Sequence, residues 1–308
     1  MIAAVNPPSA IVTSWTDSGV LRLDRPVPVF PPSARMSAML TRVLAPAGEP
    51  DRWRQLTRER LARRLGLPAD WIVIGESLEA LLTAVLDAHP RDGPVFTFEP
   101  TALTAVPLVR ECGREVTAWP RSHRFAVELT AKESRHFPSD AVALLMSPND
   151  PTGTLTSIQD VVRLARRCAL VAVDERYADP LAPSVVPLVR EFENIIVLRV
   201  VGAWCAWEGP APAYAVARPG VAERIRHAQR VEPDCAPMLR TLSVLEDAVY
   251  EAAVLGYIRR EKSRLFRMLR KLNMVRPLPS WAPFVAVRVE RGAAPLIADR
   301  LAETGILV

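Results

Sequence analysis

Between residues 71 and 217, short apolar runs take turns with segments of helical pattern. WIVIG (71–75) precedes SLEALLTAVLDA (77–88), and PVFTFEP (94–100) leads into 101–112. EVTAWP (115–120) follows, then VALLMSP (142–148) before 157–168, ALVAVDE (169–175), NIIVLRVV (194–201) and AYAVAR (213–218). A chain that repeats strand and helix in this way closes most simply into a mostly parallel sheet with helices on both faces. The sequence therefore predicts an α/β protein. Its large domain is a three-layer α/β/α unit over 36–240, with Ser77 as the N-cap of the 77–88 helix.

The pattern changes outside that stretch. Helices are predicted at 54–65, at 219–230 and, highly charged, over 243–272. PSWAPFVAVRVE (279–290) holds an alternating strand, and AAPLIADRLAETG (293–305) reads as a helix. These segments predict a smaller α+β domain made of 241–308 and completed by the proline-rich residues 1–35. No internal repeat is present.

Composition narrows the functional classes. The 308 residues are 49% apolar and 24% charged, the profile of a globular chain. No apolar run is long enough to cross a bilayer, and MIAAVNPPSAIVTSW lacks the basic start and apolar core of a signal peptide. Cys112, Cys168, Cys205 and Cys235 are widely spaced, which predicts reduced thiols in the cytoplasm rather than a disulfide framework or a zinc site. His89, His123, His136 and His227 show no metal-ligand spacing. The net charge of +5 is carried almost wholly by arginine, with only Lys132, Lys262 and Lys271 as lysines. A basic stretch, RREKSRLFRMLRK (259–271), is read as a helix whose stripe of Leu265, Phe266, Met268, Leu269 and Leu272 is buried and whose cations are solvated, so no nucleic-acid partner is expected.

Two motifs carry chemistry. SPNDPTGT (147–154) is a tight loop at the carboxyl end of a buried strand, where open α/β sheets bind ligands. VAVDERY (171–177) ends the next strand in Asp174 and sets Tyr177 three residues on, so both point to one crevice. In this order and spacing the two motifs resemble those of the fold type I pyridoxal-phosphate aminotransferases, within them the histidinol-phosphate aminotransferase group, and are also similar to threonine-phosphate decarboxylases. LDRPVPVFPPSA (23–34), EPDRWRQLTRERLARRLGLP (49–68), VIGESLEALL (73–82), FEPTALTAV (98–106), NIIVLRVVGAWCAWEGPAPAYAVARP (194–219) and PSWAPFVAVRV (279–289) are similar to the family's segments in the same order.

The resemblance implies a lysine that forms a Schiff base with the cofactor. That position is Ala203, and a methyl group forms no imine. The serine before it falls on Gly202 and the phosphate-clamping arginine on Ala211. The glycine before the phosphate-cradling Ser77 falls on Glu76. A carboxylate about 4 Å from a phosphate costs roughly 4 kcal/mol at an effective dielectric near 20. The tyrosine that reaches the partner subunit's phosphate falls on Glu49, the stacking ring on Ala102, and the small-domain asparagine on Pro283. The asparagine that donates to the phenolic oxygen falls on Asp150, which donates nothing when ionised. Asp174, partner of the pyridinium nitrogen, and Tyr177 persist. The remnant cofactor crevice is thus Asp174, Tyr177, Ser77 and Asp150, with no catalytic lysine and no metal. Trp204 and Trp207 either pack between the domains or fill the vacated pocket, and Cys205 between them is read as an inert thiol.

Three functions are weighed. The leading one is a degenerate aminotransferase-fold protein without transaminase activity or a bound cofactor. It would act as a binding or regulatory partner, as a homodimer or as a heterodimer with an active homologue, with room for a small-molecule ligand in the crevice. The second is an enzyme that uses pyridoxal or pyridoxamine phosphate non-covalently. The third is a repurposed biosynthetic enzyme in which Asp150, Asp174, Glu76 and Tyr177 form a cofactor-independent acid–base cluster.

Overall fold

A computed structural model describes residues 20–24, 30–43, 50–89, 93–101, 105–178, 182–202, 213–233 and 235–308. Its strands are β1 (Leu21–Arg22), β2 (Ile72–Gly75), β3 (Val95–Glu99), β4 (Val116–Pro120), β5 (Val142–Met146), β6 (Leu170–Asp174), β7 (Ile195–Val200), β8 (Ala213–Val216), β9 (Val275–Pro277), β10 (Val287–Val289) and β11 (Ile306–Leu307). Its helices are α1 (Ala34–Val43), α2 (Pro50–Leu65), α3 (Leu78–Asp87), α4 (Ala105–Glu111), α5 (Ile158–Ala165), α6 (Pro219–Ala228), α7 (Cys235–Glu246), α8 (Ala248–Leu269) and α9 (Ala294–Glu303).

Seven strands form one sheet in the order β2-β8-β7-β6-β5-β3-β4, and only β8 runs against its neighbours. Strands β5 and β6 are buried along their whole length. That is why they read as unbroken Val, Leu and Ala runs, since both faces are covered. On one face Leu81, Val85, Val109 and Ile225 from α3, α4 and α6 meet Ala172 and Leu198. On the other, Leu61, Leu164, Met238 and Val254 from α2, α5, α7 and α8 meet Val171, Val173 and Val197. The predicted three-layer α/β/α fold is what the chain adopts.

Local signals account for the boundaries. Ser77 caps α3 as predicted, its hydroxyl accepting from Ala80 N at 3.1 Å. The predicted 243–272 helix is instead two elements. Asp247 leaves the helical conformation (φ −121°, ψ 56°), accepts from Tyr250 N as the N-cap of α8, and accepts from the Ser33 hydroxyl at 2.6 Å. A short acidic side chain is better satisfied there than inside a helix.

The C-terminal part departs further from the sequence reading. Only 287–289 of the predicted 279–290 strand is extended into a ladder, paired antiparallel with β9. Residues before it are held from outside: Trp281 N donates to Gly153 O at 2.8 Å, and Lys262 Nζ donates to Ser280 O and Ala282 O. The predicted burial of the 259–271 stripe is corrected. Phe266 and Leu269 are half-buried, whereas Leu265, Met268 and Leu272 are exposed. From the N-terminal segment, β1 pairs in parallel with β11, while Phe30 packs edge-on against Tyr257 of α8.

Candidate functional site

The carboxyl ends of β5 and β6 lie side by side, with Met146 in register with Asp174. Past Met146 the chain enters the 147–154 loop through Ser147 N, which donates to Asp174 O at 2.9 Å. Asn149, fully buried, is the hub of that loop. Its Oδ1 accepts from Arg121 at 2.7 Å and from the Thr101 hydroxyl at 3.1 Å, and its Nδ2 donates to Pro100 O and Thr152 Oγ1. Arg121 is buried as well, and desolvation lowers its guanidinium to about 10. Gly153 closes the turn with φ 70°, and a Cβ there would lie 2.1 Å from Ser280 Oγ. Asn149 and Arg121 thus fix the loop to β3 and β4.

Asp174 ends β6 and is buried. Both of its oxygens are occupied by one residue: Oδ2 by Arg176 Nε at 2.8 Å, and Oδ1 by Arg176 N at 2.9 Å. The same guanidinium reaches Glu79 of α3 at 3.2 Å. Burial pushes the Asp174 carboxyl above its ordinary range, against the pull of Arg176. Burial lowers Arg176 too, but Asp174 and Glu79 outweigh it and hold the guanidinium above its usual value. Arg176 was not singled out from the sequence, although it stands in the quoted VAVDERY run.

Tyr177 closes the other side. Its hydroxyl donates to Asp150 Oδ2 at 3.2 Å, and its ring meets Phe284 edge-on at 5.4 Å. Burial, then Asp150, push the phenol above its ordinary value, so it keeps its proton. Of the predicted site residues, Asp150, Asp174 and Tyr177 therefore meet in one place. Ser77 sits at the start of α3, two residues before Glu79, with its oxygen engaged in the cap. Ala203, Ala211, Glu49, Ala102, Trp204, Trp207 and Cys205 lie outside the described residues. Gly202, the last described residue before them, is left-handed at φ 72°, a conformation its missing Cβ permits. Cys168 is buried and its thiol is pushed up to about 12 by desolvation, so it is no nucleophile. Among the described residues no group of His, Cys, Asp and Glu could hold a metal ion.

No family model matches the chain. Individual proteins do. The histidinol-phosphate aminotransferase of Roseiflexus castenholzii is 28% identical over 300 residues, 94% of this chain and 81% of the relative. The chloroplastic histidinol-phosphate aminotransferase 1 of Arabidopsis thaliana is 25% identical over 297 residues, 94% of this chain and 70% of the relative. Among solved structures, the Sinorhizobium meliloti histidinol-phosphate aminotransferase in complex with pyridoxal-5'-phosphate superposes with a TM-score of 0.76 at 23% identity, over 90% of this chain and 79% of that one. The chain is a homologue of the histidinol-phosphate aminotransferases and has their fold type I architecture. The same architecture extends to an L-threonine-O-3-phosphate decarboxylase from Porphyromonas gingivalis, with a TM-score of 0.69 at 18% identity over 88% of this chain.

For an aminotransferase fold, the question is whether these residues fit pyridoxal phosphate. The cavity beside Asp174, bordered by Thr97, Thr101, Met146 and Arg176, measures about 20 Å³. That is room for about one water. Asp174 already has a cation on its carboxylate, and Tyr177 already has an acceptor. The described residues do not fit the ring, because each group that would grip it is satisfied by a neighbour in this chain.

Proposed function

We propose that this chain is a binding or regulatory member of the aminotransferase fold that carries out no transamination and holds no pyridoxal phosphate. One observation carries the reading: the Arg176 guanidinium lies on Asp174 at 2.8 Å, where a cofactor's ring nitrogen would need an unengaged carboxylate. Ala203, at the position that the resemblance assigns to the imine lysine, agrees with it. The protein is expected in the cytoplasm as a dimer, with itself or with an active homologue, since closed two-fold pairs are the commonest assemblies. Its contribution to such a pair is a preserved scaffold in which Arg176 occupies Asp174.

The test is titration of the purified protein with pyridoxal phosphate and with pyridoxamine phosphate. Absorbance, intrinsic tryptophan fluorescence and intact mass after borohydride treatment are the readouts. The expected result is no shifted absorbance band, no quenching and no added mass. A borohydride-trapped adduct, or amino-group exchange between an amino acid and an oxo acid by clean protein, would overturn the reading. A saturable band without an adduct would replace it with non-covalent cofactor use.

A further inference from the structure

We infer that the groove between α2 and the first half of α8 is a binding site for a small organic anion with a compact apolar body. The groove measures about 410 Å³ and is lined by none of the residues around Asp174. On α2, Arg60, Arg63 and Arg64 stand three and four residues apart and share one face. On α8, Ala248, Ala252, Leu255 and Arg259 recur at helical spacing and line the same space. Leu255 is buried, whereas Ala248 and Ala252 are exposed, so it is two small side chains that leave the groove open.

Charge selects the ligand. Four guanidiniums line the groove against one carboxylate, that of Glu251. Arg64 pairs with Glu251 at 2.7 Å, and Arg60 pairs at 2.7 Å with Glu246, which lies beside the groove. Counting both carboxylates leaves two of the cations in excess. Among the described residues no carboxylate pairs with the Arg63 guanidinium, and Arg63 is exposed. Glu251 is only 8% exposed, so Arg64 sits on a fixed anchor and is in place before a ligand arrives. Cations in the last turn of a helix answer its negative end, which accounts for Arg63 and Arg64 on α2. It does not account for Arg259, which another helix brings to the same groove, nor for the apolar side chains between them. The volume is that of a small-molecule site. A carboxylate and a phosphate monoester are the head groups that guanidinium receives in a two-pronged fit. An inorganic anion would leave the apolar surface in water, and a neutral apolar molecule would leave the excess charge unanswered. An organic anion satisfies both.

The full-length protein is titrated calorimetrically with four probes: naphthyl phosphate, naphthoate, the uncharged naphthalenemethanol and inorganic phosphate. At least one of the two naphthyl anions is expected to bind saturably, on the order of tenfold more tightly than the alcohol or inorganic phosphate, and the better of the two names the head group. Arg63→Gln removes a cation that holds no carboxylate in the fold. It is expected to weaken that binding about tenfold while the unfolding midpoint stays unchanged. Ala252→Trp, at an exposed position, fills the groove without changing its charge and is expected to abolish binding. Equal binding of the alcohol would overturn the proposal in favour of a merely apolar groove, and equal binding of inorganic phosphate in favour of an unselective cation cluster. Binding retained in both variants would place the anion elsewhere and overturn it, as would no binding of either naphthyl anion. Pyridoxal phosphate taken up by the groove would be lost in Ala252→Trp, whereas uptake beside Asp174 would persist there, so this inference and the reading of the crevice fail separately.

Discussion

Replacing Arg176 by methionine keeps most of the side-chain stem and removes the charge that faces Asp174. Taking one partner from a buried ion pair costs about 3–5 kcal/mol, because the other charge is left in a poor solvent. Here Asp174 is 9% exposed and Arg176 21%, so water can reach part of the site and the cost falls to about 2–3 kcal/mol. Arg176 N still donates to Asp174 Oδ1, which also limits the loss. Urea unfolding of Arg176→Met, Asp174→Asn and the double variant separates pairing from packing. The double variant is expected to be more stable than the sum of the single losses predicts, by about 2 kcal/mol.

The pH dependence gives a second readout with a definite sign. The folded Asp174 carboxyl is already above its ordinary value, and in Arg176→Met it rises further. A carboxyl that holds its proton more tightly when folded destabilises the fold above its unfolded value of about 3.9, and the penalty vanishes once both states are protonated. The deficit of Arg176→Met against the wild type should therefore be largest near pH 7 and shrink as pH falls toward about 4. A coupling below about 0.5 kcal/mol, or a deficit that does not change with pH, would refute the claim that Arg176 neutralises Asp174.

Two further perturbations test the surroundings. Asn149→Ala removes the acceptor of Arg121 Nη2 and of the Thr101 hydroxyl, while Arg121 Nε keeps Phe98 O, and a loss of about 1–3 kcal/mol in urea is expected, with Asn149→Asp milder because Oδ1 remains. His89 is buried with Nδ1 at 3.0 Å from Val85 O, and desolvation holds its pKa below the ordinary value. Its folded form therefore resists protonation, so stability present above about pH 6.5 is lost as pH falls through and below that value, and His89→Gln should flatten the thermal midpoint over the same interval.

The sheet was legible because both of its faces are covered, so β5, and β6 up to Asp174, are apolar runs and their helical partners show a repeating stripe. Ser77 and Asp174 were legible for a related reason, since each marks an abrupt end to an apolar run. Arg176 was in view within VAVDERY but was given no role. Its role depends on Glu79, which is 97 residues away, and on the burial of Asp174. Nothing in local periodicity reports either. The break at Asp247 was missed for the same reason, since its hydroxyl partner, Ser33, lies on α1's approach. The stripe of α8 was read as core because periodicity identifies an apolar face without saying what covers it.

The geometry also explains why substitutions in the crevice leave the sheet standing. Leu170 to Val173 and Ile195 to Leu198 are fully buried and form the cores on both sides of the sheet. The crevice groups all lie beyond the last apolar residue of their strands, so changing them removes no core contact. Asp174 is the exception, because it is buried and charged, and a carboxylate in that position needs a cation or it must take up a proton. In the family that this chain resembles, the ring nitrogen of the cofactor meets that need. Here Arg176, two residues along the same turn, supplies the positive charge from within the chain, and Glu79 balances the excess. An aspartate kept at the end of β6 is then no sign of cofactor binding, because the same carboxylate with an internal guanidinium is a structural ion pair.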